Sequence, residues 1–184
     1  MSRKLALMRC QPAKQIVAGG DGADFLLLPD PKEVWQANTG TSATIDVDLG
    51  TVIPVDTVYL GFVRAAPGAT WTIDATSSLA GANAQRLLGP LPLALEDGWQ
   101  PRSQGIARLD APVDTRYLRI TLNQAAGAEA FQAGVLAAGQ RFEGAYQFRS
   151  GRRPVDLSEV VETSGGGFGI GRGAIKAAFR FTFA

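Results

Sequence analysis

The 184-residue chain contains no histidine and only one cysteine, Cys10. Histidine is the commonest general base near neutral pH and the commonest neutral metal ligand, so histidine-based catalytic triads are excluded. One cysteine cannot form an intramolecular disulfide, a thiolate zinc site or an iron–sulfur cluster. Because Cys10 lies in the strand-like run KLALMRC, we expect its thiol to be buried. These absences favour a binding or structural role over catalysis.

Long apolar runs and an excess of one charge are also missing. The apolar stretch at residues 5–8 is shorter than the roughly 7 to 15 residues of a signal-peptide core, which predicts synthesis in the cytoplasm without a signal peptide. No run approaches the roughly 18 apolar residues of a spanning helix, so membrane insertion is not expected. With 18 basic and 17 acidic residues, the net charge of +1 gives no electrostatic footprint for nucleic acid.

Alternation of apolar and polar residues is the main structural signal in the chain. It is clear at residues 43–49, 56–63, 70–76 and 116–123, where every second residue is apolar. Trp71 alternates with Ile73 in the third run and is predicted to lie in the core. The alanine-rich segment 125–133, broken by Gly127, permits at most one turn of helix. Short strands separated by Gly and Pro turns predict an all-β sandwich or jelly roll.

Residues 77–112 have broken periodicity and are rich in Gly, Pro, Ala and Asn. The segment is long enough for short strands and irregular loops, and we expect binding loops there. Sugar sites combine an aromatic platform with a few polar side chains. Four neighbouring residues of this segment meet that description: Trp99, Gln100, Arg102 and Gln104. They are the predicted ligand-binding residues.

Acidic residues offer only weak evidence for a metal or for catalysis. Three aspartates of the N-terminal loop can supply oxygen ligands to calcium: Asp21, Asp24 and Asp30. Their spacing matches no EF-hand, so ordinary turn aspartates are the favoured interpretation and no cofactor is predicted. A histidine-free glycosidase would need two carboxylates. Glu96 with Asp97 lies in a turn, and Asp46 with Asp48 lies on the solvent face of one strand, so the chain is predicted not to be an enzyme.

The last part of the chain differs in charge and composition. Residues 141–184 carry seven basic and four acidic residues, whereas residues 1–140 carry eleven basic and thirteen acidic ones. The glycine-dense run 165–173 lacks the helix and the Gly-Lys-Ser/Thr of a phosphate loop, which favours a hinge or a packed loop. Seven aromatics are predicted to form an assembly interface: Phe142, Tyr146, Phe148, Phe168, Phe179, Phe181 and Phe183. The segment either completes a sheet with another chain or packs back on its own sandwich.

Three segments in order carry a resemblance to a known family. They are WQANTGTSATIDVDLG at 35–50, VDTVYL at 55–60 and RYLRITL at 116–122. Together they resemble the discoidin, or coagulation-factor C-type, family of galactose-binding-like jelly rolls, over roughly residues 25–140. The resemblance implies an eight-stranded sandwich whose loops at one end bind sugars, lipids or protein surfaces. It also places Trp35 as a packed residue at the base of the sandwich. Extracellular members usually close the domain with a disulfide, which this chain cannot form.

The predicted organisation is an N-terminal strand and loop (1–24), a discoidin-like sandwich (25–140) and a C-terminal β-extension for assembly (141–184). A sandwich followed by a basic, glycine-rich extension resembles tail or baseplate components of tailed bacteriophages. The resemblance implies a structural virion component of a tail tip, baseplate or distal tail. Its expected partners are other copies of itself, neighbouring tail proteins and a cell-surface glycan. The alternative is a free-standing carbohydrate-binding module.

Overall fold

The structure is a computed structural model that describes residues 4–28, 33–81, 83–93, 103–145, 151–156, 159–162, 168–171 and 175–180. Thirteen strands are assigned within these residues: β1 Lys4–Gln11, β2 Gln15–Ala18, β3 Trp35–Gln36, β4 Ser42–Val63, β5 Thr70–Thr76, β6 Gln85–Pro92, β7 Ser103–Asn123, β8 Gln132–Ala133, β9 Val135–Ala145, β10 Gly151–Asp156, β11 Glu159–Glu162, β12 Phe168–Gly171 and β13 Ile175–Arg180. A 3-10 helix at Ala23–Leu27 is the only helical segment in this part of the chain.

Two compact units divide the chain. One is Met8–Phe142, and the other combines Met1–Leu7 with Glu143–Ala184. In the second unit β10 pairs with β13 and β11 with β12, both antiparallel, so the β11–β12 pair is nested between β10 and β13 along the chain. The predicted glycine-dense hinge therefore contributes a paired strand, β12.

Two long strands, β4 and β7, build the sandwich of the first unit. They pair antiparallel from Ser42 opposite Asn123 to Val63 opposite Ser103. The first half of β4 also pairs with β2, and its second half pairs with β9, while β5 pairs only with the second half of β7. Register shifts interrupt the β4–β7 ladder between residues 48 and 57, and such irregularities bend a strand. Each of these two strands therefore contributes to both layers of the sandwich. The order of hydrogen-bonded strands is β1-β9-β4-β7-β5-β6, and β2 pairs with β4.

A single apolar cluster fills the space between the layers. Most of the alternating apolar residues of the predicted strands point inward, which removes apolar surface from water at roughly 25 cal/mol per Å². The largest fully buried side chains are Trp35, Trp71 and Phe131. The Trp35 indole N–H donates to the carbonyl of Gly19 at 3.1 Å, which satisfies its one polar atom. The predicted packing of Trp35 and Trp71 is confirmed.

Two local predictions from the sequence are wrong, and two others gain detail. The strands that residues 77–112 contain are β6 and the first half of β7. The runs 43–49 and 56–63 belong to one strand, β4. Residues 125–133, which the sequence limits to at most one turn of helix, contain a turn at 126–127 and no helix. Cys10 is exposed, since β1 is the edge strand of its sheet, beside β9 alone.

Candidate functional site

Three loops meet at one end of the sandwich. Ser42 and Asn123 pair at one end of the β4–β7 ladder and Val63 and Ser103 at the other, and the bend at residues 49–56 brings the two ends together. The loops that leave them are 37–41, 64–69 and 124–131. We call these three segments the loop end.

Gln124 ties the three loops together. Its side-chain oxygen accepts a hydrogen bond from the Ala66 N–H at 2.7 Å. Its side-chain nitrogen donates to the carbonyls of Gly40 at 2.5 Å and Glu129 at 2.7 Å. Its backbone N–H donates to the Thr41 carbonyl at 2.9 Å. One residue directly after β7 thus fixes the separation of all three loops.

The loops also approach closely through their backbones. A Cβ atom built on Gly40 would lie 2.1 Å from the carbonyl oxygen of Ala128, a distance that real atoms do not tolerate. Only glycine at position 40 therefore permits this contact.

A pocket of about 200 Å³ opens between two of these loops. Its lining comprises Arg64, Ala65, Ala66, Ala128, Glu129 and Ala130. The Arg64 guanidinium and the Glu129 carboxylate form an ion pair, with side chains 55% and 72% exposed. An ion pair this exposed contributes little to stability, roughly 0–1 kcal/mol, so its groups can rearrange around a ligand at small cost. The pocket combines alanine methyl groups with one strong donor and one strong acceptor.

Backbone strain lies next to this pocket. Phe62, two residues before Arg64, has a φ of 55°, in the left-handed region that non-glycine residues rarely adopt. It lies within the register shift between Leu60 and Val63. Bulges of this kind change the direction of a strand, and this one lies directly before Arg64 in the chain.

The predicted ligand-binding residues lie mostly outside the described residues: Trp99, Gln100 and Arg102. The residues that flank them are described. The Leu93 N–H donates to the Ala69 carbonyl at 2.9 Å, and Ser103 pairs with Val63, so this connection starts and finishes at the loop end. Gln104 lies on β7, where its side-chain oxygen is 3.4 Å from the Tyr59 hydroxyl donor.

The predicted assembly interface stays a prediction. Phe142, on β9, is 61% exposed. Phe168 and Phe179 belong to β12 and β13. The other four aromatics lie outside the described residues: Tyr146, Phe148, Phe181 and Phe183.

Two of the three aspartates considered as calcium ligands lie in the described residues. Asp21 forms an isolated bridge with Gln36, Asp24 lies in the first turn of the 3-10 helix, and Asp30 is outside the described residues. Within the described ranges there is no group of three or more carboxylate or thiol side chains that could hold a metal ion. No helix in those ranges has the length and apolarity to cross a membrane.

Asp46 and Asp48 are not ordinary solvent-face residues, contrary to the sequence prediction. Only 7% and 6% of their surfaces are exposed. Long arginine side chains cover them: Arg119 Nε lies 2.8 Å from Asp46, and Arg116 Nε lies 2.7 Å from Asp48. The hydrogen bond from Arg116 is the main cause that lowers the pKa of Asp48 to about 2. An ionised carboxylate held this way cannot serve as a general acid near neutral pH. Glu96 and Asp97 lie outside the described residues.

Sequence reasoning missed Arg64, Gln124 and Glu129. Arg64 is the one polar residue of the 64–69 loop, and Gln124 and Glu129 are the two of the 124–131 loop, so no periodic pattern surrounds any of them. Position offers one usable signal, because Arg64 and Gln124 directly follow the predicted strands 56–63 and 116–123.

The sequence matches no protein-family model and no curated protein. Solved structures match it by fold. One is chitosan-binding module 1 from a chitosanase/glucanase of Paenibacillus sp. IK-5, at 16% identity and a TM-score of 0.56, covering 71% of this chain and 97% of that one. Another is CpGH89CBM32-5 of Clostridium perfringens, in complex with GalNAc-β-1,3-galactose, at 12% identity and a TM-score of 0.53, covering 71% and 99%.

A third comes from the crystal structure of reduced XRCC1 bound to the DNA pol beta catalytic domain. It is 16% identical, with a TM-score of 0.54, and the match covers 72% of this chain and 97% of that one. At such identities the likeness shows the fold, an antiparallel β-sandwich of the discoidin-like kind found in CBM32 domains. The predicted fold class is confirmed.

Proposed function

We propose that the sandwich is a carbohydrate-binding module and that its ligand binds at the loop end. The observation that carries the proposal is a pocket lined by four alanines and by the Arg64–Glu129 ion pair. A sugar ring presents C–H groups on its faces and hydroxyl groups around its rim. Methyl groups suit the former, while a guanidinium donor and a carboxylate acceptor suit the latter.

The size of the pocket restricts the ligand. Pockets for drug-sized ligands enclose about 300–1,000 Å³, whereas this one encloses about 200 Å³. We therefore propose that it takes one sugar ring or the end of a chain. The neighbours whose titles name chitosan and GalNAc-β-1,3-galactose support a saccharide as the ligand class.

The module binds its ligand without cleaving it. Several structural neighbours are non-catalytic binding modules, and some of these belong to glycoside hydrolases. Among the described residues that line the pocket, Glu129 is the one carboxylate, and a glycosidase of the usual type needs two.

Binding to a glycan panel tests the proposal. The panel contains chitosan oligosaccharides and GalNAc-β-1,3-galactose, and calorimetry gives the affinities. We expect Arg64→Ala to weaken binding by roughly tenfold, the effect of losing one charge-assisted hydrogen bond. Arg108→Ala is the matched control, because Arg108 is an exposed arginine on β7 opposite Thr57, away from the loop end. Absence of glycan binding by the unaltered chain, or equal affinity in the Arg64→Ala variant, would refute the proposal.

The structural role in a bacteriophage tail stays a prediction. It rests on the composition and aromatic residues of 141–184, and no comparison bears on it. The two roles are compatible, because a tail protein can also contact a glycan on the host surface.

A further inference from the structure

We infer that Gln124 is the positioning residue of the loop-end pocket, holding its two walls at the separation that a ligand requires. The inference rests on the proposed function for the nature of the ligand. Gln124 does not line the pocket. It acts instead through hydrogen bonds to the backbone of two residues that do line the pocket, Ala66 and Glu129.

The side-chain amide of Gln124 forms hydrogen bonds of opposite direction with the two walls. Ala66 belongs to one wall and Glu129 to the other, and the same amide group contacts both, at 2.7 Å in each case. The Ala66 N–H needs an acceptor and the Glu129 carbonyl needs a donor. A side-chain amide supplies one of each in fixed geometry, which neither a carboxylate nor a hydrocarbon of the same length can do.

The third loop holds one of these walls from a second side. The amide nitrogen also donates to Gly40, whose missing side chain lets the 37–41 loop touch Ala128. The segment 128–130 is therefore held from two sides, by the amide and by the Gly40 backbone. A site held in advance loses less conformational entropy when it binds, which raises affinity without any further ligand contact.

The substitution Gln124→Glu tests the chemistry, because it keeps one oxygen for Ala66 and replaces the donor with a second oxygen. In its ionised form that oxygen faces the carbonyls of Gly40 and Glu129, and repulsion should separate the loops. The same carbonyls favour the protonated form, so the pKa of the introduced carboxyl should lie above the ordinary value of about 4.3. Protonation restores a donor to one carbonyl. The separation of the loops is therefore present above that raised pKa and is partly reversed below it.

Two readouts are needed, one with ligand and one without. NMR follows the backbone amides of the pocket walls while the pH is lowered from about 7 to about 4. We expect the Ala66 and Ala130 amide shifts of the Gln124→Glu variant to titrate and to approach those of the unaltered chain at low pH. Calorimetry with chitosan oligosaccharides and GalNAc-β-1,3-galactose, at a temperature well below unfolding, should show roughly tenfold weaker binding at pH 7 and a smaller loss at pH 4.

Gln132→Glu is the matched control. It adds the same charge at the same end of the sandwich, but its amide makes only an exposed 3.3 Å bond to Gln36. The ratio of the glycan affinity of this control variant to that of the unaltered chain should be the same at pH 4 as at pH 7. Should Gln124→Glu fail to fold, Gln124→Met keeps the length without a charge and should weaken binding equally at both pH values.

The outcomes separate this inference from the proposed function. Wall amides of Gln124→Glu that do not titrate overturn the inference whether or not a glycan binds. A folded Gln124→Glu variant that is less stable but binds with unchanged affinity also overturns it, because the role is then structural only. Absence of glycan binding by the unaltered chain refutes the proposed function, while titrating wall amides would still support the positioning of the loops.

Discussion

Asp48 illustrates how a single residue stabilises one layer of the sandwich. Its two carboxylate oxygens accept hydrogen bonds from Arg116 Nε at 2.7 Å and from a terminal guanidinium nitrogen at 2.8 Å. One of the same oxygens accepts the Gly50 N–H at 2.7 Å. The Arg116 guanidinium carbon also lies 4.8 Å from the centre of the Tyr117 ring. These contacts favour the ionised carboxylate and explain why the pKa of Asp48 falls to about 2.

The stability of the chain should depend on pH through this residue. The folded-state pKa of Asp48 lies near 2, below the ordinary value of 3.8, so the stabilisation is present above about pH 4 and is lost as the pH falls toward 2. Urea unfolding between pH 2 and pH 6 measures it. We expect Asp48→Asn to be less stable than the unaltered chain at pH 6, with the difference shrinking toward pH 2. A difference that stays constant over this range would contradict the assignment.

At the scale of the element, a ladder of charges crosses the outer face of one layer. The order across β4, β7, β5 and β6 is Asp46, Arg119, Asp74 and Arg86, each directly opposite the next. Arg119 pairs with Asp46, and Arg86 pairs with Asp74. The carboxylate side chains are 9% and 8% exposed, so each needs its cation close by.

Arg119→Met should destabilise the sandwich by about 1–3 kcal/mol, because it leaves the shielded carboxylate of Asp46 without its cation. Arg108→Met, an exposed position on the same strand, should change stability by less than about 0.5 kcal/mol. Guanidinium unfolding of both variants gives the comparison. Adding Asp46→Asn to Arg119→Met should recover part of the loss. A double variant no more stable than Arg119→Met alone would show that the pairing is not the cause.

Strands were predictable from the sequence where one face is apolar and the other polar. This holds for β5, which matches the predicted run 70–76, and for the second half of β7. The alternation does not predict β6, because Gly89 and Pro90 interrupt it. Pairing with β5 nevertheless maintains the strand. The bend that joins 43–49 to 56–63 in one strand depends on partners distant in sequence. The site residues share this property, because Arg64 and Glu129 meet only after the whole sandwich has formed.

At the scale of the whole molecule, the two compact units allow binding and assembly to be tested separately. Removing residues 146–184 keeps every strand from β1 to β9, and with them the core and the loop end. We expect the shortened chain to unfold cooperatively and to bind the glycan panel with the affinity of the full chain. Reduced glycan affinity in a folded shortened chain would show that the second unit contributes to the site.

The same pair of chains tests the predicted assembly role. Light scattering behind size exclusion, at two protein concentrations, should find association of the full chain that the shortened chain lacks. A full chain that remains a monomer of 19.4 kDa at both concentrations would refute the assembly prediction and leave the carbohydrate-binding module as the sole role.

The long β4–β7 pairing also affects the order of events during synthesis. Ser42 finds its partner Asn123 only after most of the sandwich has been translated, and until then the first half of β4 can pair with β2 alone. Contacts so distant in sequence form late and slowly, since loop-closure entropy is lost before they are made. The apolar faces of β4 and β5 thus lack their β7 partner until β7 has been translated. During that interval the nascent chain is most prone to aggregate.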